Sequence, residues 1–169
     1  MARQLVEDTL SLIVTELKSS MPAALSDIRT NRADAKVTTE PPRDYFIYET
    51  AKGYKTPAVF VVPRDIDFMR EQRGSNFISS IVRIYVAALI EDIKEENLTI
   101  KSYRYQAALH QVLEQLRLDD VGNDVSILVI VKRAGFSGIE GRKNPATNED
   151  IFRREVVLEC DVEHWEKVG

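Results

Sequence analysis

The longest period-two pattern in the chain is FISSIVRIYVAALIE, Phe77 to Glu91. Val82, Ile84, Val86, Ala88 and Ile90 alternate with Arg83, Tyr85, Ala87 and Leu89. That alternation places one set on each side of an extended strand. Both sets are apolar near the end, as expected where a strand is covered on both sides. Arg83 interrupts the apolar run, which falls short of the roughly 18 residues that a membrane helix needs.

Reading upstream, a charged loop at 63–76 separates this strand from a shorter one, Pro57 to Val62. The loop sets Arg64, Arg70 and Arg73 against Asp65, Asp67 and Glu71. A Lys52-Gly53 turn signal then leads back to a short aromatic strand, Tyr45 to Glu49. Residues 29–44 are polar, contain Pro41-Pro42, and read as a connector with a short strand near Val37. Before them, Val6, Leu10, Ile13, Leu17 and Met21 recur at spacings of four and three, one face of a helix. Pro22 lacks an N–H and is expected to end or restart that helix, with Ala23 to Ile28 adding a short turn.

Reading downstream, Leu98, Tyr105, Leu109, Val112 and Leu116 stripe a second helix from Glu95 to Arg117, supported by Ala107 and Ala108. Asp119 to Asp124, with Gly122, ends it. Val125 to Lys132 and Ile151 to Glu163 alternate as strands. A long loop at 133–150 joins them, and an acidic C-terminal tail follows. The expected fold is α+β, in the order α-β-β-β-α-β-β. A mostly antiparallel sheet of about five strands carries two helices packed on one face. No internal repeat or linker divides the 169 residues, so one domain, 1–169, is expected.

Composition narrows the chemistry. Hydrophobic residues make up 44% and charged residues 30%, an ordinary globular balance. A net charge of −4 argues against a general nucleic-acid binder, which needs a cationic footprint. The single cysteine, Cys160, excludes an intramolecular disulfide and a cysteine-based zinc site. It falls in register with Val156, Leu158 and Val162, as a small buried residue does. Glu7 and Asp8 within the first apolar pattern argue against a signal peptide, so folding in a cytoplasm is expected and the Asn97-Leu98-Thr99 sequon reads as chance.

No phosphate-binding glycine loop, GxSxG elbow or HExxH motif is present. His110 lies four residues before Glu114 on one helix face, which is ordinary surface pairing. His164 lies in the tail. Glu16-Leu17-Lys18 mimics a nuclease ExK triplet, and Asp65 and Asp67 sit two apart after a strand. Together these three carboxylates are the candidate residues of a small metal-dependent nuclease. The ExK triplet falls in a helix, whereas such nucleases carry it on a strand. No catalytic, cofactor-binding or metal residue is therefore expected. Opposite charge on separate regions suits head-to-tail pairing between copies. Arg64, Arg70, Arg73, Arg133, Arg142, Lys143 and Trp165 are the expected interface residues, Trp165 because tryptophan anchors interfaces.

One resemblance covers roughly residues 1–132. It runs through the helix Leu5 to Ser19, the strand Ala58-Val59-Phe60-Val61-Val62, the strand Ile81 to Leu89, the helix from Asn97-Leu98 through Tyr103-Arg104-Tyr105-Gln106-Ala107-Ala108-Leu109, and the strand Ser126 to Val131. This order resembles the tail terminator, or tail-completion, proteins of tailed bacteriophages. The resemblance implies a structural virion protein of the tail or neck, not an enzyme, with no cofactor. It implies a ring of copies, commonly a hexamer. Such a ring caps the tail tube, stops its polymerisation and meets the head connector, while DNA passes through the lumen. The loop at 133–150 and the tail have no counterpart in that pattern. A head-completion or neck adaptor protein, or an adaptor that binds along the open sheet, shares the same features.

Overall fold

The computed structural model describes residues 5–32, 37, 39–48, 53–68, 77–120 and 125–167. Helix α1, Leu5–Arg32, is followed by β1, Asp44–Phe46, β2, Ala58–Phe68, and β3, Phe77–Asp92. Then come α2, Glu95–Leu113, β4, Arg117–Asp120, β5, Val125–Phe136, β6, Glu140–Lys143, and β7, Asp150–Lys167. The fold is α+β, with the sheet order β1-β2-β3-β7-β5-β4 and β6 paired to β7. Among the described residues only β1–β2 is parallel; every other pairing is antiparallel.

The Phe77 strand is the sheet's long axis, with β7 beside it. β3 pairs with β7 from Phe77↔Lys167 to Asp92↔Phe152 without a break. On its other side β7 meets both β5 and β6. One face of these strands is the core. Val82, Ile84, Val86, Ala88 and Ile90 of β3, with Val156, Leu158, Cys160 and Val162 of β7, lie buried under the two helices. From above, α1 contributes Leu10, Ile13, Leu17 and Met21, and α2 contributes Leu98, Tyr105, Leu109 and Leu113. The expected stripes are the buried ones, with Val6, Val112 and Leu116 half-buried at their margins.

The first strand is shorter than the expected Tyr45 to Glu49, ending at Phe46, and five further boundaries differ from the sequence reading for a physical reason. First, α1 continues through Pro22 to Arg32. Pro22 is exposed, and Met21, Ala24 and Leu25 around it are buried, so core packing offsets the missing hydrogen bond. Second, β2 runs past Pro63 to Phe68, so Arg64, Asp65 and Asp67 belong to a strand and not to a loop. A register shift between Pro63 and Asp65 places a bulge at Arg64. β1 covers only Ala58 to Phe60, so Pro63 lies on a free edge where its missing N–H breaks no ladder bond.

Third, α2 stops at Leu113. Gln115 takes a φ of +56°, a left-handed step that reverses the chain into β4, a strand that carries no apolar alternation of its own. Fourth, the loop at 133–150 contains the end of β5 and all of β6, a short polar strand. Fifth, the tail is no tail: β7 extends through Lys167, with buried His164 and Glu166 at core-facing positions. Those two polar residues interrupt the apolar period that carries the strand to Val162. Val37 is buried but lies in a bend, not a strand, and its carbonyl accepts from Arg104 Nη1 at 2.9 Å.

Candidate functional site

The helices cover one side of the sheet and leave the other open. Residues in register with Arg83 point to that open side: Asp65 on β2 and Asp161 on β7. Asp67, Ile81 and Glu163 form the next row, and Val62, Tyr85, Glu159 and Arg133 the row on the other side. The face is therefore built by strand period alone. Side chains two apart on one strand share a face, and neighbouring strands hold them side by side.

Arg83 organises the centre. Its Nη1 donates to Asp65 Oδ1 at 2.7 Å and its Nη2 to Asp67 Oδ2 at 2.6 Å, while Nε lies 3.7 Å from Asp161 Oδ1. One guanidinium thus ties β2, β3 and β7 together. Its hydrogen bonds to Asp65 and Asp67 push its pKa up further. Arg133 Nη2 donates to Glu159 Oε1 at 2.7 Å. That hydrogen bond holds the Glu159 carboxyl below its ordinary range. Arg64 lies 3.5 Å from Asp65 and stacks over the Tyr85 ring at 5.9 Å.

At the far end of the same face the character changes. Phe46, Tyr54 and Phe60 form an aromatic group over Ala58 and Ala87, with Phe46 stacked on Phe60 at 5.3 Å. Beyond it, Glu91 Oε1 accepts from Arg142 Nη2 at 2.7 Å and Arg153 Nη2 at 2.6 Å, while its Oε2 accepts from Thr56 Oγ1 at 3.0 Å. Lys143 pairs with Asp150 at 2.7 Å.

The expected interface residues are thereby split. Arg64 and Arg133 both lie on the central face, Arg64 on β2 beside Asp65 and Tyr85 and Arg133 on β5 beside Glu159. Arg142 and Lys143 lie on β6 at the other end, each already paired. Trp165 is half-buried on β7 between Ser79 and Ser126, on the open face and not in a terminal tail. Arg70 and Arg73 lie outside the described residues. Sequence reading missed Arg83, Glu159 and Asp161 as partners. Asp65 and Asp67 at spacing two were the available signal, once both are placed on a strand opposite Arg83.

The carboxylate-enzyme reading loses its geometry. Asp65 and Asp67 are both engaged by Arg83 on the open face. Glu16 is on α1, across the sheet, where it accepts from Ser20 Oγ. Among the described residues no three His, Cys, Asp or Glu side chains cluster as metal ligands would. Burial pushes the Cys160 thiol up to about 12, helped by Glu114, Asp161 and Glu159. Exposed His110 Nε2 sits 4.0 Å from half-buried Glu114 Oε2. His164, expected in a tail, is buried on β7 with its Nδ1 hydrogen-bonded to Thr9 Oγ1 at 3.1 Å.

No protein-family model matches the sequence, and no curated protein matches it. Among solved structures, a chain of "Virion of native gene transfer agent (GTA) particle" is 15% identical, with 87% of this chain and 97% of that chain covered. The TM-score is 0.28, below the level at which two chains share a fold.

Proposed function

We propose that this chain is a structural protein of a phage-like virion, a ring-forming tail terminator that caps the tail tube and meets the head connector. The observation that supports it best is the one-sided sheet. The central rows of an open face of four long strands carry five carboxylates, Asp65, Asp67, Glu159, Asp161 and Glu163, against three guanidiniums, Arg64, Arg83 and Arg133, while at the far end Glu91 is matched by Arg142 and Arg153. Lateral ion pairs hold these groups in place, so the face can stay wet. Turned toward a lumen, a net negative wall repels phosphate and lets DNA pass without sticking. The helix–strand order quoted from the sequence supports the same assignment. Copies of this chain, a tube protein and a connector protein are its partners, and it needs no cofactor.

Native mass spectrometry, with electron microscopy of particles made without the protein, tests the assignment. Closed rings together with tails of irregular length are the expected pair of results. A monomer at every concentration, with tails of normal length, sinks it. Leaking heads on normal tails would transfer the protein to head completion.

A further inference from the structure

A ring needs two different patches on each copy, one to give and one to receive. We propose that the giving patch is an aromatic ridge on the helix layer around Tyr103 and Phe136, and the receiving patch an acidic groove beside the N-terminal half of α1 on the next copy. This deepens the ring reading above and rests on it.

The ridge stands out by its exposure among the described residues. Tyr103 is 54% exposed and Phe136 39%. Their rings meet edge to face at 5.7 Å, and the Arg154 guanidinium lies over Phe136 at 5.0 Å. Beside them a groove of about 310 Å³ opens between the helices, lined by Ile28 and Arg32 of α1 and by Ile100 and Ala107 of α2. Exposed aromatic rings beside arginine are the composition of interface anchors. On the open sheet face, by contrast, the arginines are engaged by carboxylates of the same chain.

The groove is the counterpart in charge and chemistry. It measures about 240 Å³ and is lined by Asp8, Leu12, Asp120 and Val125. It offers the Asp8 carboxylate beside an apolar floor to a patch that presents Arg32 beside aromatic rings. Asp8 and Arg32 form no ion pair among the described residues, so these two charges await a partner. The patches lie at opposite ends of the molecule. Phe136 pairs with Val156 and Val125 with Glu166 on the same strand. Ten residues of β7 therefore separate them, roughly 33 Å. Patches so far apart cannot satisfy each other within one copy, so their pairing takes a second copy, head to tail.

Sedimentation velocity on two variants tests this. Tyr103→Ser with Phe136→Ser removes the ridge anchors; Asp8→Arg with Ser11→Arg reverses the groove. Each variant alone is expected to self-associate about 30-fold more weakly than the unaltered protein, the loss of a single anchor. Mixed in equal amounts, they should stop at a two-chain species, because only one intact ridge can meet one intact groove. If the unaltered protein is itself monomeric, the ring reading fails and this inference with it. If it assembles and the variants assemble equally well, only the choice of patches is overturned. Failure of each variant with no pairing on mixing overturns it too. Should the ridge variant unfold, Arg32→Glu, exposed in the last turn of α1, replaces it with the same expected outcomes.

Discussion

Replacing Pro22 with alanine should stabilise the protein. Pro22 sits inside a continuous 28-residue helix and is exposed. It has no N–H for the carbonyl of Lys18, four residues earlier, and its ring crowds that carbonyl. Proline is about 3 kcal/mol worse than alanine in a helix interior. Part of that penalty returns in the unfolded chain, where proline's restricted backbone is worth roughly 0.4–1 kcal/mol. The exposed ring removes little apolar surface when truncated. A net gain of about 2 kcal/mol is expected. For a chain of this size that raises Tm by roughly 4–8 °C. Thermal unfolding followed by circular dichroism at one fixed protein concentration measures it, because assembly would otherwise move Tm by itself. An unchanged or lowered Tm refutes the reasoning, since it would mean that the helix bends at residue 22 and needs the proline there.

Leu109→Ala, at a fully buried position of α2, should cost about 2–5 kcal/mol in urea unfolding; an unshifted midpoint would contradict the packing of α2 on β7. Arg133→Ala should return the Glu159 pKa toward its ordinary 4.5, read by carboxyl NMR titration. Since that pKa is depressed in the folded state, the stability due to the pair is present above the unfolded pKa and is lost as pH falls through the folded one. The variant and parent should therefore converge in acid and differ at neutral pH; a gap that persists in acid would assign the loss to packing. Cys160, buried with a thiol raised to about 12, should resist alkylation at pH 8 until the protein unfolds. Stoichiometric labelling of the native protein would show that β7 opens.

Where one physical signal dominated, the sequence was readable. The Phe77–Glu91 alternation and the stripe Leu10, Ile13, Leu17 and Met21 each meet a single apolar surface, and period alone locates them. Pro22 misled because a local rule was outweighed by Met21, Ala24 and Leu25 packing on the sheet. Arg117 to Asp120 and Glu140 to Lys143 are strands only because β5 and β7 offer them an edge. Leu118 apart, their own residues are not apolar, and they carry no periodic signal. His164 and Glu166 hid the end of β7, since polar residues at inward positions look like a tail. The same error concealed the open face, whose charged rows exist only when β2 and β7 are read at full length.

The placement of β7 has a consequence for how the molecule is made. Sixty residues of chain separate Asp92 from its partner Phe152, and ninety separate Phe77 from Lys167. At translation rates of 5–20 residues per second, β3 waits roughly 3–18 s for its neighbour. During that interval a long apolar strand is synthesised with one side unpaired, the condition that invites mispairing between nascent chains. Its ladder closes only after the last described strand leaves the ribosome, and contacts this distant in sequence form slowly. A central strand of the finished sheet is thus the last of the described strands to arrive.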